Sequence, residues 1–248
     1  MSIKDIAGAL KLPYIKNNYE EAINEAHISD MSLEEFLEAI LQNELDLRNT
    51  NSIKNKIRNA KFPYKLSLDD YERNHFSVEI KQKIRVLETL EFMKNGENII
   101  LIGNPGTGKT ALSIALGMKA RQLGGNVLFI SVPNLLIELK EAMALNQITR
   151  YKKKFESYDL VILDELGYCT FDKERGEILF NLLSSRNNKG SMIITSNLTF
   201  DRWNEIFNDQ VLTGAMIDRL AYKSHLINMT GESYRILATQ KWNERKPA

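Results

Sequence analysis

Apolar positions along this chain follow two different periods. From residue 98 onward, short apolar runs recur at intervals: Asn98–Ile102 (NIILI), Asn126–Ser131 (NVLFIS), the run Asp159–Leu163 leading into Asp164-Glu165, Ser191–Asn197 (SMIITSN) and His225–Met229 (HLINM). Each has strand length, and a continuous rather than alternating apolar run predicts a strand covered on both faces. Between them the spacing changes to that of helices. Ala111–Gly117 is one such stretch, and Leu135, Leu136, Leu139 and Met143 share a face in another, opened by Pro133-Asn134. Upstream, Ile80, Ile84, Leu87 and Leu90 predict a helix over 80–94, stopped by Asn95-Gly96. Strands alternating with helices imply an α/β fold with a five-stranded, mostly parallel sheet flanked by helices.

The first 70 residues read differently, with no convincing strand and Gly8 as the one glycine. Ser32 and Glu35 form a capping-box signature, after which Leu33, Phe36, Leu37, Ile40, Leu41 and Leu45 recur at helical spacing. Tyr19, Ala22, Ile23 and Ala26 predict a shorter helix before it. The expectation is a small all-helical N-terminal domain over 1–70, followed by a nucleotide domain over 71–248. Phe62-Pro63 ends the helical pattern, because proline disfavours helix in the residue before it. Leu66–Phe76 then reads as a linker or collar.

Composition narrows the class. A formal net charge of +1 on 248 residues excludes a polycation, so nucleic-acid binding would have to come from local patches. Two patches stand out. Arg48, Lys54, Lys56, Arg58, Lys61 and Lys65 follow one another without an acid between them, and Arg150, Lys152, Lys153 and Lys154 cluster further on, with Lys140 nearby. Each run reads either as a solvated helix face or as a phosphate-contacting surface. The lone Cys169 forms no internal disulfide, and the three histidines are scattered. With no apolar leader and no run of membrane-spanning length, the expectation is a soluble, cytoplasmic protein.

Gly103-Asn104-Pro105-Gly106-Thr107-Gly108-Lys109-Thr110 matches the P-loop pattern between a predicted strand and a predicted helix. In such a loop, glycines let backbone N–H groups converge on phosphate oxygens, and the helix adds its positive end. Lys109 is expected to reach the β- and γ-phosphates of ATP, and Thr110 to ligate Mg²⁺. Asp164 and Glu165 end the third apolar run, where core packing gives no reason for two acids. If the first and third strands are neighbours, these acids sit beside the P-loop. Asp164 then suits the Mg²⁺ shell, and Glu165 the base that polarises the attacking water. Asn197, at the end of the fourth run, is a candidate to hold that water or touch the γ-phosphate.

The order of P-loop, acidic pair and Asn197 resembles the AAA+ ATPases, of the ASCE type. More narrowly, Leu163–Tyr168 (LDELGY), Thr195–Leu198 (TSNL), Asp218-Arg219-Leu220 and Gly231–Arg235 (GESYR) resemble the IstB-type helper ATPases of bacterial insertion sequences, relatives of the DnaC helicase loaders and the DnaA initiator. The resemblance implies that Asp164 and Glu165 are the Walker B pair and that Asn197 is sensor 1. It makes Arg219 an arginine finger acting on ATP held by a neighbouring subunit, and Arg235 a second sensor. Fewer than twenty residues follow Met229, so any C-terminal lid is minimal.

The function implied is an ATP-dependent homo-oligomer, with ATP sites between subunits, that binds double-stranded DNA with weak sequence preference. It would help a cognate transposase choose and prepare target DNA, without a membrane. Three alternatives stay open at this stage: a replicative helicase loader, a P-loop small-molecule kinase, and a nucleotide-gated scaffold.

Overall fold

The computed structural model of the protein describes residues 1–186, 189–231 and 233–244, with the backbone alone described at 53–56, 58, 237, 238, 241, 243 and 244. The helices in chain order are α1 (Ile3–Ala9), α2 (Pro13–Ile28), α3 (Leu33–Asn59), α4 (Val78–Glu88), α5 (Glu91–Asn95), α6 (Lys109–Gln122), α7 (Val132–Ala144), α8 (Ile148–Glu156), α9 (Lys173–Ser184), α10 (Asn204–Phe207), α11 (Gln210–Ala221) and α12 (Tyr234–Glu244). The strands are β1 (Asn98–Ile102), β2 (Val127–Ser131), β3 (Leu160–Leu166), β4 (Ser191–Ser196) and β5 (Ser224–Asn228). Contacts divide the chain into two compact units, Met1–Lys56 and Ile57–Ala248, with the division inside α3.

All five strands are parallel, in the order β2-β3-β4-β1-β5. Alternate residues feed two cores. Ile100, Ile102, Leu128, Ile130, Val161, Leu163, Met192 and Ile194 point to one face, where α7, α9 and α11 cover them, joined by Phe155 and Trp203. Ile99, Leu101, Val127, Phe129, Leu160, Ile162, Ile193 and Ile227 point to the other, under α4, α5 and α6. Burial on both faces is the physical reason β1–β4 read as unbroken apolar runs, whereas edge strand β5 buries only Ile227 and leaves Leu226 exposed, contrary to the expectation of cover on both faces. The sheet therefore holds its C-terminal strand ends, where α/β proteins place ligands, against a rigid two-sided core.

Several expectations need correction. The helix expected over 80–94 is two helices, because Leu90 adopts a left-handed backbone (φ 60°) between α4 and α5. Leu90 is buried, and its apolar spacing hides the break. Of the two readings of Leu66–Phe76, linker or collar, the collar fits: Leu66, Leu68, Tyr71 and Phe76 pack onto the α6 side of the sheet. Finally, β1 and β3 are not neighbours, since β4 lies between them.

In the N-terminal unit, the Ser32–Glu35 capping box forms as expected, with Glu35 N–H donating to Ser32 Oγ (3.2 Å) and Ser32 N–H donating to Glu35 Oε2 (2.8 Å). The sequence reading missed α1, although Ser2 and Asp5 make the same box there. A second cap comes from a distance. Leu12 precedes α2 and has no side-chain acceptor, and Pro13 has no N–H, so buried Glu44 of α3 accepts from Tyr14 N–H (2.8 Å) and Ile15 N–H (3.2 Å). Of the α3 stripe, Ile40 is buried and Phe36 half-buried, while Leu33, Leu37, Leu41 and Leu45 are exposed.

Candidate nucleotide site

β1 ends at Ile102, and the chain turns through Gly103–Gly108 into α6. The turn depends on its glycines. A Cβ on Gly103 would collide with the Met229 carbonyl, and Gly106, with φ 83°, lies so close to Ser233 that a Cβ would strike its side chain. Thr107 Oγ1 donates to the Asn104 carbonyl (2.9 Å), tightening the loop. Lys109 opens α6 and is only 8% exposed. Its Nζ donates to the carbonyls of Gly103 and Asn104, both at 2.7 Å. Burial, assisted by nearby Arg235 and opposed by Asp164, pushes the Lys109 ammonium down to about 8.

Thr110, in the first turn of α6, meets Asp164 of β3 although β1, which leads into the loop, is not adjacent to β3. Thr110 Oγ1 donates to Asp164 Oδ1 at 2.8 Å, and Thr195 Oγ1, from the intervening strand β4, donates to the same oxygen at 2.6 Å. Asp164 is buried, 5% exposed, and these two hydroxyls hold its carboxylate. Thr195 also accepts from Glu165 N–H at 3.0 Å, so one side chain positions both acids. The sequence analysis assigned no role to Thr195. Its signal was a hydroxyl residue inside an otherwise apolar strand, one place from the strand's end.

Glu165 has φ 66°, an uncommon conformation for a residue other than glycine, and sits where the β3–β4 register shifts between Leu163 and Leu166. Such an irregularity re-aims a side chain. Asp164 points inward to Thr110, while Glu165 is exposed to the cleft.

That cleft has a volume of about 1010 Å³ and brings together Gly106, Gly108, Lys109, Thr110, Asp164, Glu165 and Arg235. α12 begins against the P-loop, with Tyr234 N–H donating to the Gly106 carbonyl at 2.9 Å. Of the residues expected at the site, Gly103, Asn104, Pro105, Thr107, Asn197 and Arg219 do not line the cleft. Asn197 follows β4, and its Oδ1 is buried without a hydrogen-bond partner among the described residues, against Gly167. Arg219 lies on α11 with its guanidinium 5.5 Å from the centre of the Phe180 ring. Among the described residues, no carboxylate lies within 4 Å of it in an ion pair.

The donor set suits a magnesium nucleotide. Hydroxyl and carboxylate oxygens of Thr110 and Asp164 are hard ligands at the mouth of the P-loop, which fits a cation shared with phosphate oxygens. Among the described residues, no cluster of three or more His, Cys, Asp or Glu forms an all-protein metal site.

The basic residues of α7 and α8 form a separate surface. Lys140, Arg150, Lys152, Lys153 and Lys154 are all exposed, while Phe155 is buried and half-buried Tyr151 donates to Glu138 Oε2 at 2.9 Å. Lys54, Lys56 and Arg58 have side chains outside the described residues, as does Glu232 of the GESYR string.

A family model for the IstB-like ATP binding protein matches residues 5–241. The chain belongs to that family. A protein of Pseudomonas aeruginosa described as ATP-binding, from insertion sequence IS21, is 36% identical over 233 residues, covering 94% of this chain and 88% of its own length. A second, from insertion sequence IS5376 of Geobacillus stearothermophilus, is 32% identical over 244 residues, covering 98% of this chain and 97% of its own. Among solved structures, the DnaC helicase loader superposes with a TM-score of 0.57 at 22% identity, covering 70% of this chain and 98% of that one, a likeness of fold. The IstB-like chain thus belongs to a family described as ATP-binding, on a fold shared with the DnaC helicase loader. Among its described residues, no helix is long and apolar enough to cross a membrane.

Proposed function

We propose that this IstB-like protein hydrolyses ATP and, as a homo-oligomer on double-stranded DNA, prepares target DNA for a transposase. The observation that carries the ATPase reading is the Thr110–Asp164 contact at the P-loop, with Glu165 turned separately into the same cleft. One acid is buried beside a hydroxyl and its neighbour is free, a division of labour that a merely structural pair of acids would not need.

The geometry supports a sequence of roles. Loop N–H groups receive the phosphates, and Lys109 exchanges the Gly103 and Asn104 carbonyls for β- and γ-phosphate oxygens. Thr110 and Asp164 would hold Mg²⁺, which when bound supplies charge neutralisation to the phosphates. Glu165 accepts a hydrogen bond from the attacking water and orients it. Asn197 Oδ1, buried without a hydrogen-bond partner among the described residues, is a further acceptor near the end of β4. Arg219 lies away from the cleft of its own chain, which supports its acting on ATP held by a neighbour, where a guanidinium stabilises transition-state charge.

For DNA, the exposed cations of α7 and α8 offer a phosphate-tracking surface. Such contacts position a duplex but carry little sequence information, so binding is weakly sequence-selective and strongly salt-dependent. The insertion-sequence origin of the relatives supports a transposase as partner. Sizing the protein with duplex DNA and a non-hydrolysable ATP analogue tests the assembly. A discrete DNA-bound oligomer is expected, and Arg219→Ala should bind nucleotide yet fail to assemble. A nucleotide-bound monomer with no DNA affinity would reject the reading in favour of a small-molecule kinase. Capture of a hexameric helicase instead of a transposase would point to a loader.

A further inference from the structure

The segment Lys61–Leu66 crosses the front of the nucleotide cleft and is anchored at both ends. On one side, Phe129 N–H of edge strand β2 donates to the Ala60 carbonyl at 2.8 Å, and Lys61 Nζ donates to Glu138 Oε1 at 2.6 Å. Phe62 then packs on Phe129, ring centres 6.0 Å apart, and fills the space left by Gly117 of α6. On the other side, Leu66 N–H reaches the Met118 sulfur at 3.1 Å. Between these anchors stand Pro63 and Tyr64. Proline fixes its own φ, so the strap has little freedom where it crosses.

Tyr64 is 47% exposed and lines the same cleft as Lys109, Thr110, Asp164 and Glu165. Among the described residues, its hydroxyl has no hydrogen-bond partner, in contrast to Tyr71, whose hydroxyl faces the Gly108 carbonyl at 3.4 Å. A rigid aromatic stem carrying a free O–H in a cleft it shares with Thr110, Asp164 and Glu165 has no packing explanation at that exposure.

We propose that Tyr64 is a positioning residue that donates its hydroxyl to the terminal phosphate of bound ATP, so that the strap distinguishes triphosphate from diphosphate. The proposal rests on the reading of the cleft as an ATP site. The direction of its titration agrees: burial first, then the Asp164 carboxylate, holds the proton on Tyr64, with Arg235 opposing, so the group remains a donor at neutral pH. The terminal phosphate is the expected acceptor because Asp164 and Glu165 mark that end of the site.

Calorimetric titration of the full chain with Mg²⁺ and either ADP or a non-hydrolysable ATP analogue tests this, comparing wild type with Tyr64→Phe. Loss of one hydrogen bond to a charged oxygen should weaken the triphosphate analogue about 10-fold or more and change ADP less than about twofold. Matched thermal melts establish that the variant is folded, and Tyr64→Ala separates ring packing, which acts on both nucleotides, from the hydroxyl. Equal effects of Tyr64→Phe on both ligands, or no effect, overturn the proposal. Wild-type protein that binds neither nucleotide overturns the ATP reading itself, an outcome distinguishable because it needs no variant.

Discussion

The P-loop end of the sheet and the α7–α8 hairpin both present positive charge, and they do so in opposite ways. Lys109 is buried, bonded to two carbonyls and pushed down to about 8 by desolvation. Lys140, Arg150 and Lys152–Lys154 are exposed, and among the described residues none is in an ion pair within 4 Å. A buried cation acts through its position and chemical identity, because moving it leaves carbonyls unsatisfied and charge uncompensated. Exposed cations act through their number, because each phosphate contact adds a similar increment and screening blurs geometry. Single substitutions should therefore matter at the first region, and only combined ones at the second.

The sharpest break in that comparison is Glu165→Gln. Turnover should fall about 100-fold or more while ATP binding persists, as expected for loss of a general base. Steady-state hydrolysis alongside nucleotide titration checks it, and unchanged turnover would remove Glu165 from the chemistry. Next in size is the hairpin. Lys152, Lys153 and Lys154 replaced together by Gln should weaken duplex binding about 10-fold or more at moderate salt and flatten the log K against log salt slope by about 2 to 3. ATP affinity should stay as it was. A duplex affinity indifferent to these changes would place the DNA surface elsewhere.

The smallest effect concerns pH. A phosphate favours protonated Lys109, whose proton in the free protein is lost at about pH 8. ATP affinity should thus be flat below pH 8 and decline above it, by up to about tenfold per unit, with proton uptake on binding. Affinity constant from pH 7 to 9.5 would mean that Lys109 keeps its proton throughout.

How far the sequence reached differs from residue to residue. Gly103–Thr110 was legible because a P-loop is a local object, in which φ values, glycine positions and the following helix lie within a few bonds. Asp164 and Glu165 were legible as acids where a buried strand has no use for them. Their separate orientations were not, since those arise from the register shift against β4 and the Thr195 hydroxyl. Leu90 shows the reverse problem: an apolar residue in perfect helical spacing is where the helix breaks. Likewise Leu33, Leu37, Leu41 and Leu45 have the spacing of a buried stripe yet are exposed, while the inward position on α3 goes to Glu44, needed as a cap for α2.

By itself the sequence determined the strands, the helices around the phosphate loop, the loop itself and the chemistry of its neighbours, all set by short-range sterics and by which residues water rejects. Tertiary structure alone decided that β4 separates β1 from β3 and lends Thr195 to both acids. It also decided that Arg219 stands outside the cleft of its own chain and that Leu66–Phe76 packs against the sheet. Those outcomes depend on strand order and on packing between segments far apart in the chain, where many arrangements satisfy the same local pattern and only the joint burial of both sheet faces selects one.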